Sequence, residues 1–184
     1  MLDEQELADY IDSRFTRVLF RLETLDLYDV ASNGDEYHRY VTGETKPNPE
    51  RKKLWMEHIR DEVARGLYTY RVHVLRSPLN DYLRFECEWG YVYNAQAGEY
   101  IRILDLAERP RPAGLLDEDF WLIDEREVLR MHYDAEGRYV GAELAPEDEL
   151  PRYLAAKDAA WSSAVDFSDY WKEHPGYWRN PSAI

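Results

Sequence analysis

The first hydrophobic pattern in the chain supports two interpretations. A stripe at helical spacing is formed by Leu7, Ile11, Phe15, Val18 and Leu22. Over residues 17–24, however, hydrophobic and polar residues alternate, which is typical of a half-buried strand. We predict a helix to about Ser13 followed by a strand, and the strand places Arg21 and Glu23 together on its polar face. The alternative, a helix that continues through Arg21, stays open at this point.

Helical and strand patterns then alternate through the middle of the chain. Asn48 and Pro49 predict the start of a helix and Gly66 its end, because Asn can cap the first turn and glycine readily adopts the positive φ that follows the last turn. The predicted buried stripe of this helix consists of Leu54, Trp55, His58, Ile59 and Val63. The other elements predicted here are a turn at Asn33 and Gly34, a short helix near residues 35–41, a helix from Pro78 to about Tyr93, and strands at 70–75 and 100–104.

The last third of the chain predicts an antiparallel meander followed by a helix. Turn residues separate hydrophobic runs at 120–124, 127–133 and 139–144. The final long helix carries hydrophobic residues at helical spacing, namely Leu150, Tyr153, Leu154, Trp161 and Val165. Together these patterns predict a mixed α/β fold with a central mixed sheet and a C-terminal antiparallel meander, flanked by helices. We expect one domain over residues 1–184, in which 172–184 form a loosely held tail.

The composition limits the classes of function. The 184 residues include 23 basic and 37 acidic side chains, which gives a formal net charge of −14, and 45% of the residues are hydrophobic. Such a chain can bury a core, but its charge repels phosphate backbones, so we expect no direct binding of nucleic acid. No hydrophobic run approaches the ~20 residues of a membrane helix, and the acidic first residues do not resemble a signal peptide. We therefore expect a cytoplasmic protein without membrane contact.

The helix predicted from Pro78 to Tyr93 carries the most informative residue. At 100° per residue, Glu86 falls at the centre of an apolar arc formed by Leu79, Tyr82, Leu83, Gly90 and Tyr93. The same spacing directs Asp81, Arg84, Glu88 and Tyr91 to the opposite side. A carboxylate among hydrophobic residues must find a cation and hydrogen-bond donors or take up a proton. A structural ion pair is the simpler interpretation, and a ligand-binding or acid–base carboxylate in a cleft is the functional one.

Strand residues supply candidate partners for Glu86. Arg71 and His73 share the polar face of their strand, Arg102 faces away from Ile101 and Ile103, and Arg21 lies beside Glu23 on the first strand. If these faces converge, they form a polar pocket with apolar walls. The candidate ligand-binding residues are Arg21, Glu23, Arg71, Tyr82, Glu86, Trp89 and Arg102. The simpler interpretation places the arginines on an exposed sheet face, where ion pairs contribute only about 0–1 kcal/mol.

Other chemistries have little support in the sequence. Cys87 is the single cysteine, the five histidines lack zinc-site spacing, and no phosphate-binding glycine loop occurs. We therefore expect no cofactor and no metal. His132 precedes Asp134 at a predicted strand end, which offers a weak signal for a general base. Cys87 has no basic neighbour in the sequence and is interpreted as a packing residue.

Five groups of residues stand out as motifs: Arg21-Leu22-Glu23-Thr24, Pro78-Leu79 with Tyr82-Leu83-Arg84-Phe85-Glu86, Ala97-Gly98-Glu99 with Ile101-Arg102-Ile103, Asp119-Phe120-Trp121-Leu122 with Asp124, and Met131-His132-Tyr133-Asp134 with Gly137. Together they resemble an actinobacterial family of unknown function. The resemblance extends from about Phe15 to Tyr170. It implies no catalytic residue, but members are often encoded near helix-turn-helix regulators, which implies a regulatory or partner role.

The order of elements also resembles half of a phospholipase D-like domain. The catalytic H-x-K-x-x-x-x-D motif of that fold is absent, because His73 is followed two places later by Leu75 and His132 by Asp134. The analogy therefore argues against phosphodiester chemistry.

Three functional hypotheses follow from these observations. The leading one is a non-enzymatic regulatory module that binds a small molecule or a protein, such as a helix-turn-helix regulator, through the candidate residues above. The second is a hydrolase that uses Glu86 or His132 as a general base. The third is an acidic protein that neutralises a basic regulator or toxin. The sequence leaves the ligand and the oligomeric state open.

Overall fold

Seven strands form one mixed sheet in the part of the chain that the structure describes. The structure is a computed structural model that describes residues 1–29 and 34–179. The strand order across the sheet is β6-β5-β4-β1-β2-β3-β7. The strands are β1 Val18–Glu23, β2 Tyr68–Leu75, β3 Tyr100–Asp105, β4 Phe120–Ile123, β5 Glu127–Tyr133, β6 Tyr139–Leu144 and β7 Val165–Asp166.

The sheet combines a parallel centre with an antiparallel meander. β1, β2 and β3 are parallel neighbours, and such neighbours require crossover connections, which helices provide here. β4, β5 and β6 pair antiparallel in chain order beside β1, and β7 pairs antiparallel with β3 at the other edge. The predicted mixed α/β domain with a C-terminal meander is therefore confirmed.

Helices cover both faces of this sheet. They are α1 Glu4–Arg14, α2 Glu36–Val41, α3 Pro49–Ala64, α4 Asp81–Phe85, α5 Val92–Ala97, α6 Leu150–Ser163 and α7 Phe167–Glu173, with short 3₁₀ turns at Glu147–Glu149 and Pro175–Tyr177. The predicted helix-then-strand order at the start is confirmed, because α1 ends before β1 begins. Asn48 caps α3 as expected, its side chain accepting hydrogen bonds from the backbone N–H groups of Glu50 and Arg51. The turn predicted at Asn33 lies outside the described residues, while its neighbour Gly34 is in a turn.

The helix that carries Glu86 differs from the prediction in its start, its end and its periodicity. It continues through α5 to Ala97, beyond the predicted end at about Tyr93. It begins at Asp81, not Pro78, because the Asn80 side chain caps it by accepting a hydrogen bond from Leu83 N at 2.8 Å. Between α4 and α5, residues Glu86–Tyr91 form a π-helix. A π-helix has more residues per turn than an α-helix, so the 100° arithmetic fails across it. Tyr91, predicted to face away from Glu86, is instead 1% exposed and points to the sheet.

The two faces of the sheet bury different side chains. On one face, Phe20, Leu22, Val72 and Val74 pack with α6, in which Tyr153, Ala156 and Ala160 are fully buried. The opposite face of the same strands carries Arg21 and Glu23 from β1 and Arg71 and His73 from β2. This face is covered by the segment from α4 to α5 and by α7. The alternation predicted for β1 and β2 therefore holds, and it directs four polar side chains at the covering helices.

The predicted buried stripe of α3 is mostly wrong. Ile59 is buried, but Leu54 is 68% exposed and Trp55 46% exposed. His58, predicted to be a core residue, is half exposed, stacks on Trp55 and lies 3.2 Å from a Glu62 carboxylate oxygen. The stripe has the periodicity of a packed helix, but part of it borders an open cleft, so burial does not follow from the pattern.

The described part of the C-terminal tail contacts the domain. Trp178 Nε1 donates to the Trp171 carbonyl at 2.8 Å, and the Arg179 backbone N–H donates to Glu88 at 2.6 Å. The Arg179 guanidinium lies over the Tyr40 ring, 4.2 Å from its centroid. The last five residues of the predicted tail lie outside the described residues. None of the helices that the structure describes combines the length and the apolar character needed to cross a bilayer.

Candidate functional site

An open cleft of about 770 Å³ lies between the polar face of the sheet and the helices that cover it. Its floor consists of side chains from β1, β2, β4 and β5, and its walls come from α1, α3 and the helix that carries Glu86. The lining residues used below are Arg21, Glu23, Tyr28, Lys52, Leu54, Trp55, Arg71, Tyr82, Phe85, Glu86, Trp89, Gly90, Trp121, Tyr133 and Tyr139. The volume is in the range of small-molecule sites in proteins.

Arg21 forms one half of the floor. It is 3% exposed, and its Nη2 lies 2.9 Å from Asp119 Oδ2 and donates to the Tyr133 hydroxyl at 2.9 Å. Its guanidinium carbon lies 5.1 Å from the centroid of the Trp121 ring. Asp119 also accepts from the hydroxyls of Thr24 and Tyr28, so its carboxylate is held from several sides. These bonds fix the guanidinium plane at the base of the cleft, but Nη1, although buried, has no hydrogen-bond partner among the described residues.

Arg71 forms the other half, and its charge is neutralised by two glutamates. Its Nε donates to Glu99 at 2.6 Å and its Nη1 donates to Glu23 at 3.1 Å. Glu99 is 5% exposed and accepts a second hydrogen bond from the Asn94 amide at 2.8 Å. Since charged groups removed from water need both a counter-ion and hydrogen bonds, these contacts explain how Arg71 is held in the floor.

Glu23 links the two halves electrostatically. It lies 3.8 Å from Arg21 Nε and accepts from the Tyr91 hydroxyl at 3.1 Å. Burial raises the pKa of Glu23, but the charges of Arg71, His73 and Arg21 outweigh burial and hold it at about 2. Glu23 is therefore ionised throughout the physiological range.

Glu86 faces the cleft without a charged partner at hydrogen-bond distance. Its Oε1 accepts from the Tyr82 hydroxyl at 3.1 Å, the one hydrogen bond of this carboxyl among the described residues. Burial raises the pKa of Glu86, ionised Glu23 adds to the effect, and Arg71 acts against it. A Cβ atom at Gly90 would lie 3.3 Å from Glu86 Oε2, so the glycine leaves room for the carboxyl. Two neighbouring carboxyls thus have pKa values displaced in opposite directions.

Aromatic rings form much of the wall around these polar groups. Tyr28 packs edge-on against Tyr133, with 5.2 Å between ring centroids, and in a tilted arrangement against Tyr82 at 6.2 Å. Trp89 and Phe85 continue this wall along the helix, 6.0 Å apart. On the α3 side, Lys52 borders the cleft, and burial lowers the pKa of its ammonium group. Aromatic walls with few convergent polar groups favour a ligand that has an apolar or planar body.

The structure brings six of the seven predicted site residues to this cleft. Arg21, Glu23, Arg71, Tyr82, Glu86 and Trp89 all line it.

The seventh, Arg102, lies on the opposite face of the sheet. There it donates to the Trp161 carbonyl at 2.8 Å, and its guanidinium carbon lies 4.3 Å from the centroid of the Trp161 ring. The physical reason is the register of the parallel ladder, in which Arg102 pairs with Val72 and so shares the face of that core residue. The expected convergence of Arg102 with Arg71 is therefore wrong.

The sequence suggested that the arginines would pair with Glu86, and the structure shows that Arg21 and Arg71 do not. Their partners are Glu23, Glu99 and Asp119, and the last two were not predicted. Asp119 immediately precedes β4 and Glu99 immediately precedes β3, so each follows a turn and resembles a loop residue in the sequence. One feature of the sequence did point to Asp119 and Glu99: both residues lie within the motifs that carry the family resemblance.

Two other candidates from the sequence, His132 and Cys87, do not contribute to the cleft floor. His132 is on the α6 side of β5, where its Nε2 lies 3.3 Å from a Glu143 carboxylate oxygen. Cys87 is 1% exposed, and burial raises the pKa of its thiol well above the usual value, as expected for a packing residue. Within residues 1–29 and 34–179, no group of three or more His, Cys, Asp or Glu side chains is placed to hold a metal ion.

Comparison with protein families gives a match over almost the whole chain. The profile described as "Domain of unknown function (DUF6879)" matches residues 5–172. This range includes every strand, all the cleft residues except Glu4, and the extent of the expected family resemblance. A search of curated proteins gives no significant match. The chain belongs to the DUF6879 family, a domain of unknown function.

Proposed function

We propose that this protein is a non-enzymatic regulatory module that binds a small molecule in the cleft. The observation that carries the proposal is an open volume of about 770 Å³ whose floor is a fixed network of buried ion pairs. The network holds its side chains in place before any ligand arrives, and such pre-organisation lowers the entropic cost of binding. The expected protein partner, a helix-turn-helix regulator in the cytoplasm, belongs to this proposal.

The groups around the cleft floor favour binding over catalysis. Both ring nitrogens of His73 are engaged, Nδ1 with the Tyr91 hydroxyl at 2.7 Å and Nε2 with the Leu25 carbonyl at 2.9 Å. The arginines are held by carboxylates, and the Cys87 thiol is buried with a raised pKa. A nucleophile beside a free general base, the usual arrangement for covalent catalysis, does not occur among the described residues of the floor.

A thermal-shift screen of a chemically diverse metabolite library tests the proposal. Compounds that bind should raise the melting temperature of the wild-type protein and fail to raise that of Gly90→Leu, because Gly90 lines the cleft and a leucine there would fill part of it. Gly176→Leu is the matched control, since no atom lies within 4 Å of a Cβ built there. Bound compounds should be recovered chemically unchanged. The proposal fails if no compound stabilises the wild type, or if Gly90→Leu and the wild type respond equally.

A hydrolase that uses Glu86 is the second candidate, because one observation favours it. Glu86 has a raised pKa beside a carboxylate whose pKa is about 2, and carboxyls with separated pKa values are typical of acid–base pairs. The test is turnover of a panel of esters, amides and glycosides. A pH–rate profile that disappears in Glu86→Gln would establish hydrolysis, and complete recovery of every substrate would exclude it. His132, the other base considered, lies on the opposite face of the sheet from Glu86.

A further inference from the structure

The charges on the cleft floor determine which ligands it can accept. Two guanidinium groups, Arg21 and Arg71, are paired with three carboxylates, Asp119, Glu23 and Glu99. The floor is therefore not electropositive, although two arginines lie in it. An anionic ligand on the floor would have to displace a carboxylate that already pairs with Arg21 or Arg71. Capture of a phosphate or carboxylate by these two arginines is therefore disfavoured, although the Lys52 ammonium group borders the cleft from α3.

Glu86 changes the balance further toward a cationic ligand. Its carboxyl lines the cleft, accepts one hydrogen bond from Tyr82, and has no Lys, Arg or His nitrogen within salt-bridge distance among the described residues. Burial and ionised Glu23 raise the pKa of Glu86, Arg71 and His73 lower it, and Lys52 on α3 interacts with the same carboxyl. A positive group placed beside Glu86 would meet a carboxyl that forms no salt bridge among the described residues, and aromatic rings such as those of Tyr82 and Trp89 attract cations through their faces.

Arg21 Nη1 provides a second, independent requirement. The residue is 3% exposed and lines the cleft, and this nitrogen is buried without a hydrogen-bond partner. Unsatisfied buried donors are rare in folded proteins, and an ordered water or a ligand oxygen that reaches the nitrogen would supply the missing acceptor. Because the guanidinium charge is already neutralised by Asp119, a neutral oxygen such as a hydroxyl suits this position better than an anion.

We propose that the cleft binds an organic cation: a ligand whose ammonium group contacts Glu86, whose hydroxyl or carbonyl oxygen accepts from Arg21 Nη1, and whose apolar body lies between the aromatic walls. This inference rests on the proposed function and specifies the chemical class of its ligand. Binding such a cation favours the ionised form of Glu86, so at a pH where the free protein holds the Glu86 proton, complex formation releases it.

Three probes of one shape test the charge requirement directly. Tyramine, tyrosol and 4-hydroxyphenylacetate share a hydroxyphenyl body and differ in carrying an ammonium, a hydroxyl or a carboxylate at the same end. Isothermal titration calorimetry on the wild-type protein should show tyramine binding at least about tenfold more tightly than tyrosol, with 4-hydroxyphenylacetate weakest. Titrations at several pH values from about 4 to 7, in buffers of different ionisation enthalpy, should show proton release with tyramine that decreases as pH rises, and none with tyrosol.

The variant Glu86→Gln tests whether Glu86 causes the preference for tyramine over tyrosol. Glu86→Gln keeps the shape of the side chain and should reduce the tyramine-to-tyrosol ratio to about one, while tyrosol affinity changes less than about twofold. Glu57→Gln, on the exposed surface of α3, is the matched control and should leave the ratio unchanged.

The results separate the ligand class from the proposed function. If 4-hydroxyphenylacetate binds most tightly, or if none of the three probes binds while compounds from the metabolite library do, the organic-cation class is overturned and small-molecule binding stands. If neither the three probes nor any library compound binds, both the organic-cation class and the proposed small-molecule binding are contradicted.

Discussion

Removing the charge of Glu23 should destabilise the protein by about 3 kcal/mol at pH 7. A pKa lowered from 4.5 to about 2 corresponds to about 3 kcal/mol, at about 1.4 kcal/mol for each factor of ten in the acid dissociation constant. Loss of one member of a buried ion pair costs about 3–5 kcal/mol, because the partner is left without its counter-ion. The two estimates agree for Glu23→Gln, which leaves Arg71 with Glu99 alone.

The dependence on pH follows from the sign of the shift. The folded-state pKa of Glu23 is below its unfolded value, so its stabilisation is fully present above about pH 4.5 and is lost as pH falls toward 2. Urea unfolding of wild type and Glu23→Gln at several pH values between 7 and 3 measures the difference in free energy of unfolding. Glu57→Gln, which removes an exposed pair with Lys53 at 3.7 Å, should change that free energy by less than about 0.5 kcal/mol. A Glu23→Gln effect below about 1 kcal/mol at pH 7, or one that does not shrink in acid, would refute the reasoning.

Four further predictions concern the cleft and the core. Because burial and Glu23 disfavour ionised Glu86, Glu86→Gln should raise the free energy of unfolding at pH 7, and urea titrations should show the gain vanish below about pH 4.5, where the carboxyl is protonated in both states. Tyr82→Phe removes a hydrogen bond to the Glu86 carboxylate, so carboxyl ¹³C NMR titration should show the pKa of Glu86 rise further. Gly90→Ala should stabilise the protein less than the roughly 0.5–1 kcal/mol expected in a helix, because its Cβ would lie 3.3 Å from Glu86 Oε2, whereas Gly176→Ala meets no atom within 4 Å. Ala160→Leu should destabilise by about 1–3 kcal/mol in urea unfolding, because Ala160 is 0% exposed under the sheet and overpacking strains its neighbours.

Alternation along single strands predicted the polar face of the sheet correctly. Arg21 and Glu23 lie opposite Phe20 and Leu22 because the side-chain period of a strand is two. That rule is local and therefore visible in the sequence.

The relation between strands was not visible in the same way. Arg102 has the correct alternation within β3, but its face is set by pairing with Val72 of β2. Registers between strands depend on packing across the whole sheet, and a single sequence does not state them.

The helix that carries Glu86 shows a similar limit. Its apolar arc assumes α-helical periodicity, and Tyr82 and Glu86, one α-helical turn apart, do face the cleft together. The π-helix from Glu86 to Tyr91 then changes the phase, so Tyr91, predicted on the side away from Glu86, instead donates to Glu23 on the sheet. Irregular hydrogen bonding of this kind has no reliable pattern of hydrophobic residues, and π-segments are frequent at functional sites.

The most direct measurement is the pKa of the Glu86 carboxyl by ¹³C NMR, in the free protein and with saturating tyramine. The account predicts a value above 4.5 in the free protein, a lower value in the complex, and a neighbouring Glu23 that titrates near 2 in both. Ordinary values for both carboxyls, or a Glu86 pKa that tyramine leaves unchanged while it binds, would contradict the account.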